Sequence, residues 1–244
     1  MVVSSAPKKR HNVSIARLLS YDAFIQVMEK KRRPENVTAE FLLQKKYSDI
    51  KRIDINFMKE LLFGSLRWYA KLYWILQKTS KRDLKSVSPE CRASLILGTY
   101  QIFYMDRVPD RSAVNESVEY VKLKGEYSAA PFVNGILRSI SRRTEYFAKP
   151  DKDKNPASYL ALQYSHPLWL VKSWLSRFSF ERTRIILSSN NNQPPCTIRV
   201  NSLKFENYNT ESFHLEFLRK EKIYSYKSHL ENCVFLKQFP SQEP

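Results

Sequence analysis

Cysteine and histidine are the first side chains to examine for a metal site or a reactive thiol. The three cysteines, Cys91, Cys196 and Cys233, stand far apart in the chain. The four histidines do not cluster with them, and no pair has the short spacing of metal ligands. An odd and sparse cysteine count also argues against the disulfide framework of a small secreted domain. We therefore expect no metal site and no disulfide framework.

Net charge says more about function than the cysteines and histidines do. The chain has 41 lysine and arginine residues against 24 aspartate and glutamate residues, a formal net charge of +17. An excess of this size, spread along the whole chain, favours a polyanionic partner over a cationic surface that serves solubility alone. The sequence therefore predicts contact with nucleic acid.

The residues predicted to contact phosphates are cationic and lie on outward helix faces or in turns. For any one of them, a solvated helix face is an equally good interpretation. They are Arg67, Lys71, Arg107, Lys122, Lys124, Arg138, Arg142 and Arg143.

Hydrophobic periodicity predicts that the first half of the chain is helical. We expect helices over 14–33, over Thr38–Lys45 with Thr38 as its N-cap, and over the long apolar segment Arg52–Gln77. Gly64 lies inside this last helix, where glycine is less favourable than alanine by about 1 kcal/mol. We interpret it as a position where another helix approaches closely.

The next helix is apolar on nearly all sides, which is typical of a buried central helix. It is expected to begin at Pro89 with Ser88 as its cap. After a charged turn, Ser112 is expected to cap a further helix that ends at Gly125. Ala129–Arg143 is predicted to form the last helix of this half.

Five polar or aromatic side chains have predicted structural roles. Asn115 and Glu116 are expected to satisfy the N-terminus of their own helix, with RNA or partner binding as the alternative. Asn134, on an otherwise apolar helix, is expected to make a buried hydrogen bond. Trp169 and Trp174 are expected in the core of the second half.

A polar segment with prolines near both ends is the best candidate for a domain boundary. Beyond it, helical patterns give way to short alternating strands such as Cys196–Asn201. The predicted fold class is mainly α, with an all-helical bundle followed by a small mixed α/β domain. The predicted parts are a disordered basic tail over 1–12, a helical domain over 13–148, a linker over 149–156 and a small α/β domain over 157–244.

Five blocks of sequence have the order and spacing of a known family. They are LLFGSLRWYAKLYWIL at 61–76, LILGTYQIFYMDRVPDRSAVNESVEYVK at 95–122, APFVNGILR at 130–138, YSHPLWLVKSWLSRF at 164–178 and NNNQPPCTIRVN at 190–201. Together they resemble the N-terminal region of the RsmB family (also called Fmu or Sun), the bacterial ribosomal RNA cytosine-5 methyltransferases.

The resemblance implies a NusB-like helical domain and a small linker domain, both of which fit the predicted elements. The family's third domain binds S-adenosylmethionine, and such a domain needs a glycine-rich turn after its first strand. The chain has four glycines, and none follows Gly135. We therefore expect no catalytic domain, no cofactor and no methyl transfer by this chain alone. S-adenosylmethionine is expected only for the missing domain, which a separate gene would encode or which has been lost.

Cys196 follows Pro195, and this dipeptide resembles the one that contains an active-site cysteine of that family. Its context, QPPCTIRVN, instead matches the linker domain, and nothing in the sequence lowers the pKa of its thiol. We therefore predict no catalytic role for it. The resemblance also suggests that Arg199 and Asn201 help orient RNA, with a hydrogen bond at the strand end as the equal alternative.

The predicted function is recognition of small-subunit ribosomal RNA on behalf of a methyltransferase. The alternatives are a NusB-type adaptor for transcription antitermination and a remnant that serves only as a protein-interaction module. No stretch is long and apolar enough for a membrane span or a signal peptide, so we expect a cytoplasmic protein with no membrane partner.

Overall fold

The computed structural model of the protein describes residues 13–44, 49–142 and 150–192, and beyond them the backbone of three strands. The chain divides into two compact units, Met1–Ser188 and Ser189–Pro244. The domain boundaries expected at 149–156 stay a prediction.

The described part of the first unit is helical, and its last helix runs a few residues beyond the unit boundary. A short 3-10 turn, Tyr127–Ala129, precedes α7. The helices are α1 (Ile15–Lys30), α2 (Pro34–Leu43), α3 (Arg52–Arg67), α4 (Tyr69–Thr79), α5 (Pro89–Tyr104), α6 (Asp110–Leu123), α7 (Ala130–Ser141), α8 (Pro156–Gln163), α9 (Leu168–Leu175) and α10 (Phe180–Asn191).

Helix α5 is the centre of the bundle, as its apolar sequence predicts. It packs against α1, α3, α4, α6 and α7, and its middle is buried on every side from Ala93 to Gln101. The expected cap at the start of α5 and the expected glycine at the end of α6 are both confirmed. The Ser88 hydroxyl accepts a hydrogen bond from the Cys91 amide, and Gly125 follows the end of α6 with a φ of +87°, which glycine adopts without strain.

Two helix boundaries differ from their predictions because proline sets the start of the helix. Pro34 begins α2, so Thr38 lies one turn inside and its hydroxyl donates to the Pro34 carbonyl at 2.8 Å. Pro109 is the N-cap of α6, so Ser112 lies within the first turn. In both cases the fixed φ of proline suits a helix start and outweighs the capping preference of a later hydroxyl side chain.

The expected single helix over Arg52–Gln77 is two helices. The chain breaks at Trp68, whose φ and ψ are −93° and 10°. The Trp68 ring stacks on that of Tyr104, with centroids 4.8 Å apart. Apolar periodicity continues through the break, so the sequence pattern gave no sign of it.

Helices α8 to α10 enclose a small core of their own, formed by Leu160, Ala161, Val171 and Leu187. Trp174 packs against this core as expected. The same expectation for Trp169 is wrong, because 71% of that residue is exposed. Two tryptophans five residues apart lie on different faces of a helix, and α9 buries only one of those faces.

The second unit contains an antiparallel sheet with strand order β1–β3–β2. The strands are β1 (Cys196–Arg199), β2 (Tyr224–Lys227) and β3 (Cys233–Lys237). Thr197 and Tyr226 both pair with Phe235 on the central strand. The predicted fold class, mainly α with an all-helical bundle first, is confirmed, and strands follow the helices as expected. Among the described helices, none combines the length and hydropathy needed to cross a lipid bilayer.

Candidate nucleic-acid interface

The ends of four helices bring basic residues from distant parts of the sequence to one end of the bundle. The Trp68–Tyr104 stack places the α3–α4 junction beside the end of α5. A short turn then leads from α5 into α6. At the start of α6, Asp110 accepts a 2.5 Å hydrogen bond from the hydroxyl of Ser141, the last residue of α7. The α3–α4 junction, the α5–α6 turn and the end of α7 therefore lie at the same end.

Six cationic side chains belong to this end, which we call the basic end. Its five arginines are exposed. Sequence reasoning predicted all of these side chains except Arg111, which follows Arg107 closely, at the start of α6, and could have been found by its place beside the same charged turn. The members are Arg67, Lys71, Arg107, Arg111, Arg138 and Arg142.

The arginines of the basic end have no acidic partners within the described ranges. The described ion pairs involve none of the five guanidinium groups. Arg142 donates from Nε to the Arg138 backbone carbonyl at 3.2 Å, which holds the Arg142 side chain against the last turn of α7. Asp106 is an exposed acid at this end. The cations outnumber the acids, so the local field is positive.

Lys71 is half-buried, unlike the arginines. Its ammonium group lies 5.1 Å from the Trp68 ring centroid and 5.6 Å from that of Tyr104. Both distances are within the range of cation–π attraction. The two rings therefore hold the lysine charge at the α3–α4 junction.

Two other predicted contacts, Lys122 and Lys124, lie at the opposite end of α6. Lys122 pairs with Glu119 at 2.7 Å, and Lys124 pairs with Asp22 at 2.7 Å. Both ammonium groups are thus engaged within the bundle. The structure separates these lysines from the basic end.

The remaining predicted contacts are not described at the level of side chains. Arg143 and Asn201 lie outside the described residues. The backbone of Arg199 ends strand β1 and pairs with Cys233. Their proposed roles stay predictions.

Glu116 serves a helix N-terminus, although not that of its own helix. Its carboxylate accepts hydrogen bonds from the Ser14 amide at 2.8 Å and from Arg17 Nη1 at 2.6 Å. Ser14 is the N-cap of α1, so Glu116 ties α1 to α6. Arg17 also donates to Gln101 at 2.6 Å, which joins α5 to the same network.

A polar groove of about 620 Å³ runs along α6 from the basic end. Pro109 and Arg111 lie at its start, and Asn134 on α7 forms part of the opposite wall. Asn134 is half-buried, and Asn115 is exposed. The structure therefore places the Asn134 amide along a groove instead of in the core.

Nothing in the described part of the chain has the arrangement of a metal or nucleophilic centre. The described residues contain no cluster of three or more metal-binding side chains. Cys91 is buried, and desolvation raises the pKa of its thiol to about 12, so the thiolate is scarce at neutral pH.

The comparisons with known families agree with this architecture. Residues 14–142 match the NusB family, and residues 166–241 match the ferredoxin-like domain of RsmF/B-like methyltransferases. The first match covers more than half of the chain, which therefore belongs to the NusB family.

Curated relatives show which group of proteins with a NusB domain the chain is similar to. The chain is 37% identical over 147 residues to the probable ribosomal RNA small subunit methyltransferase B of Bacillus subtilis, covering 60% of this chain and 32% of that protein. It is 31% identical over 193 residues to the Klebsiella pneumoniae ribosomal RNA small subunit methyltransferase B, covering 79% of this chain and 41% of that protein. The chain thus spans well under half of the length of these relatives. The resemblance to the N-terminal region of this methyltransferase family is confirmed.

Among solved structures, the chain is similar to PH0851. The TM-score is 0.65 at 15% sequence identity, and the similarity covers 94% of this chain and 50% of that one. At this identity the likeness shows a shared fold only.

Proposed function

We propose that this chain binds ribosomal RNA and positions it for a methyltransferase domain that lies outside the 244 residues. The observation that carries the proposal is the basic end, where five exposed arginines without acidic partners converge from three parts of the sequence. RNA is the polyanion that the names of the two methyltransferase relatives suggest.

The geometry of the basic end suits a phosphate backbone. A guanidinium group donates to phosphate oxygens through several N–H groups at once. Arginines on α6, on α7 and in the α5–α6 turn offer such donors along one surface. One RNA strand can therefore contact several of them together. Binding of this kind releases condensed counterions and weakens steeply as salt is added.

The match over residues 166–241 favours the methyltransferase branch over an antitermination adaptor. An adaptor of the NusB type needs the helical bundle alone. A second domain of the RsmF/B type fits a protein that presents RNA to a catalytic domain. We further propose a cytoplasmic location.

Fluorescence anisotropy with a labelled fragment of small-subunit ribosomal RNA tests the proposal. The proteins are the full chain and its Arg111→Ala, Arg138→Ala and Lys124→Ala variants, each titrated across a salt series. If the basic end binds phosphates, each arginine variant weakens binding and lowers the salt slope by about one. Lys124→Ala is the matched control because its ammonium is paired with Asp22.

Two results of this titration would contradict the proposal in different ways. Absence of RNA binding by the full chain even at low salt would overturn the proposal. Equal weakening by Lys124→Ala and Arg138→Ala would show that binding depends on total charge and not on the basic end.

Catalysis is proposed to need a further domain. We expect the chain alone to transfer no methyl group to RNA and to bind no S-adenosylmethionine. Calorimetric detection of S-adenosylmethionine binding by the purified chain would contradict this.

A further inference from the structure

The groove along α6 combines features that suit a neutral, hydrogen-bonding ligand. Asn115 on α6 and Asn134 on α7 both line it. In the part of the chain that the structure describes, neither side-chain amide has a hydrogen-bond partner. Each amide can donate and accept a hydrogen bond. Two helices therefore offer matched donor and acceptor pairs to the same groove.

The charges inside the groove cancel. Glu116 is paired with Arg17, and Glu119 is paired with Lys122. A phosphate placed among these carboxylates would meet no net positive charge. The interior of the groove therefore disfavours an anion and accepts an uncharged polar group.

The start of the groove has the opposite character. Arg111 lies there without an acidic partner. Arg138 lies one helical turn beyond Asn134 on α7 and is exposed. A group bound inside the groove thus sits next to cations that can bind a phosphate.

We infer that the groove receives one unpaired nucleobase of the bound RNA, while the adjoining phosphates contact Arg111 and Arg138. A nucleobase edge presents neighbouring donors and acceptors that an amide matches. In a continuous A-form duplex these edges lie in a deep, narrow major groove, so the base must come from a loop, a bulge or a single strand. The inference rests on the proposed function and adds to it the class of RNA that this surface recognises.

Three RNA probes isolate the contribution of the base. The first is a continuous duplex, the second is the same duplex with a single-nucleotide bulge, and the third carries an abasic nucleotide at the bulge. The second and third have the same phosphates and differ only in the base. We expect the full chain to bind the bulged RNA about tenfold more tightly than the abasic RNA, a discrimination typical of one hydrogen-bonded base contact.

Variants assign that preference to the groove. Asn115→Ala and Asn134→Ala should bring the affinity for the bulged RNA down to that for the abasic RNA, with no change in the salt slope. Asn36→Ala is the matched control, since Asn36 is an exposed asparagine on α2 that does not line the groove. Arg138→Ala should weaken binding to both RNAs equally. Because Asn115 is exposed, its variant should fold normally even if Asn134→Ala does not.

Either of two results would overturn this inference and leave the proposed function standing. One is equal affinity of the full chain for bulged and abasic RNA. The other is a preference that survives in Asn115→Ala. Failure of all three probes to bind at low salt would overturn the proposed function and this inference together.

Discussion

The ring of Tyr100 occupies the space that Gly64 leaves open between α3 and α5. A Cβ atom added to Gly64 would overlap Tyr100 Oη and Cζ. The ring cannot easily move away. It is stacked on Tyr104 with centroids 5.2 Å apart, and its hydroxyl donates to Glu60 Oε1 at 2.6 Å. The predicted close approach at Gly64 is thereby confirmed and assigned to one side chain.

Gly64→Ala should therefore destabilise the protein. Overpacking of this kind lowers the free energy of unfolding by about 1–3 kcal/mol, although alanine is favoured over glycine in a helix by about 1 kcal/mol. Gly135→Ala is the matched control, because nothing lies within 4 Å of a Cβ at that helical position. It should stabilise the protein slightly. Urea unfolding of both variants measures the difference, and equal midpoints would contradict the assignment.

The buried ion pair between Arg17 and Glu116 gives a second prediction. The exposed fractions of the two side chains are 10% and 17%. Arg17→Ala leaves the Glu116 carboxylate without its partner in a poorly solvated site, and should lower the free energy of unfolding by about 3 kcal/mol.

The control for that change is a solvent-exposed pair. Arg32 pairs with Glu40, and the exposed fractions are 37% and 53%. Arg32→Ala should change stability by no more than about 0.5 kcal/mol. Thermal melts at neutral pH compare the two variants. If Arg17→Ala melts like Arg32→Ala, the buried pair does not anchor α1.

Stability should fall at alkaline pH. Desolvation by burial raises the pKa of the Cys91 thiol from 9.0 to about 12, and it also raises the pKa values of Tyr21, Tyr100 and Tyr120 above 10.0. The unfolded chain releases these protons first, so the folded state binds more protons above pH 9 and is destabilised as the pH rises. For Cys91 the loss extends from pH 9 to about pH 12.

Melting temperature and tyrosinate absorbance, followed across this pH range, check the prediction. Melting temperature should fall steadily above pH 9. Tyrosinate absorbance from the buried tyrosines should appear together with unfolding. A melting temperature that stays constant to pH 12 would show that these groups ionise without penalty in the folded state.

The two tryptophans of α9 should differ sharply in their contribution to stability. Trp174 packs against the small core, and its ring lies 6.2 Å from that of His166. Trp174→Ala should lower the free energy of unfolding by about 2–3 kcal/mol, less than for a fully buried tryptophan. Trp169→Ala removes a residue that is 71% exposed, and the change should stay within about 0.5 kcal/mol. Urea unfolding distinguishes them, and similar losses would mean that Trp169 is buried in solution.

Local features of the fold were readable from the sequence because they depend on neighbouring residues. Ser88 caps α5 through the amide three residues later, and Gly125 ends α6 through its own backbone freedom. The uninterrupted apolar surface of α5 likewise predicts that it is buried. Each of these follows from residues within one or two helical turns.

Tertiary packing decided what the local pattern left open. The break at Trp68 accompanies a ring stack with Tyr104, which lies 36 residues later in the sequence. Glu116 satisfies the N-terminus of α1, whose Ser14 amide is 102 residues away. Periodicity within either segment contains no information about such distant partners.

The candidate interface shows the same division. Sequence alone determined that the protein is strongly basic, helical in its first half and similar to the N-terminal region of a ribosomal RNA methyltransferase. Only the tertiary structure decided which cations share a surface. It gathered Arg67, Arg107 and Arg138 at one end of the bundle and paired Lys122 and Lys124 with acids at the other. Composition and spacing fix which charges exist, but the direction in which each helix enters the bundle fixes where those charges meet.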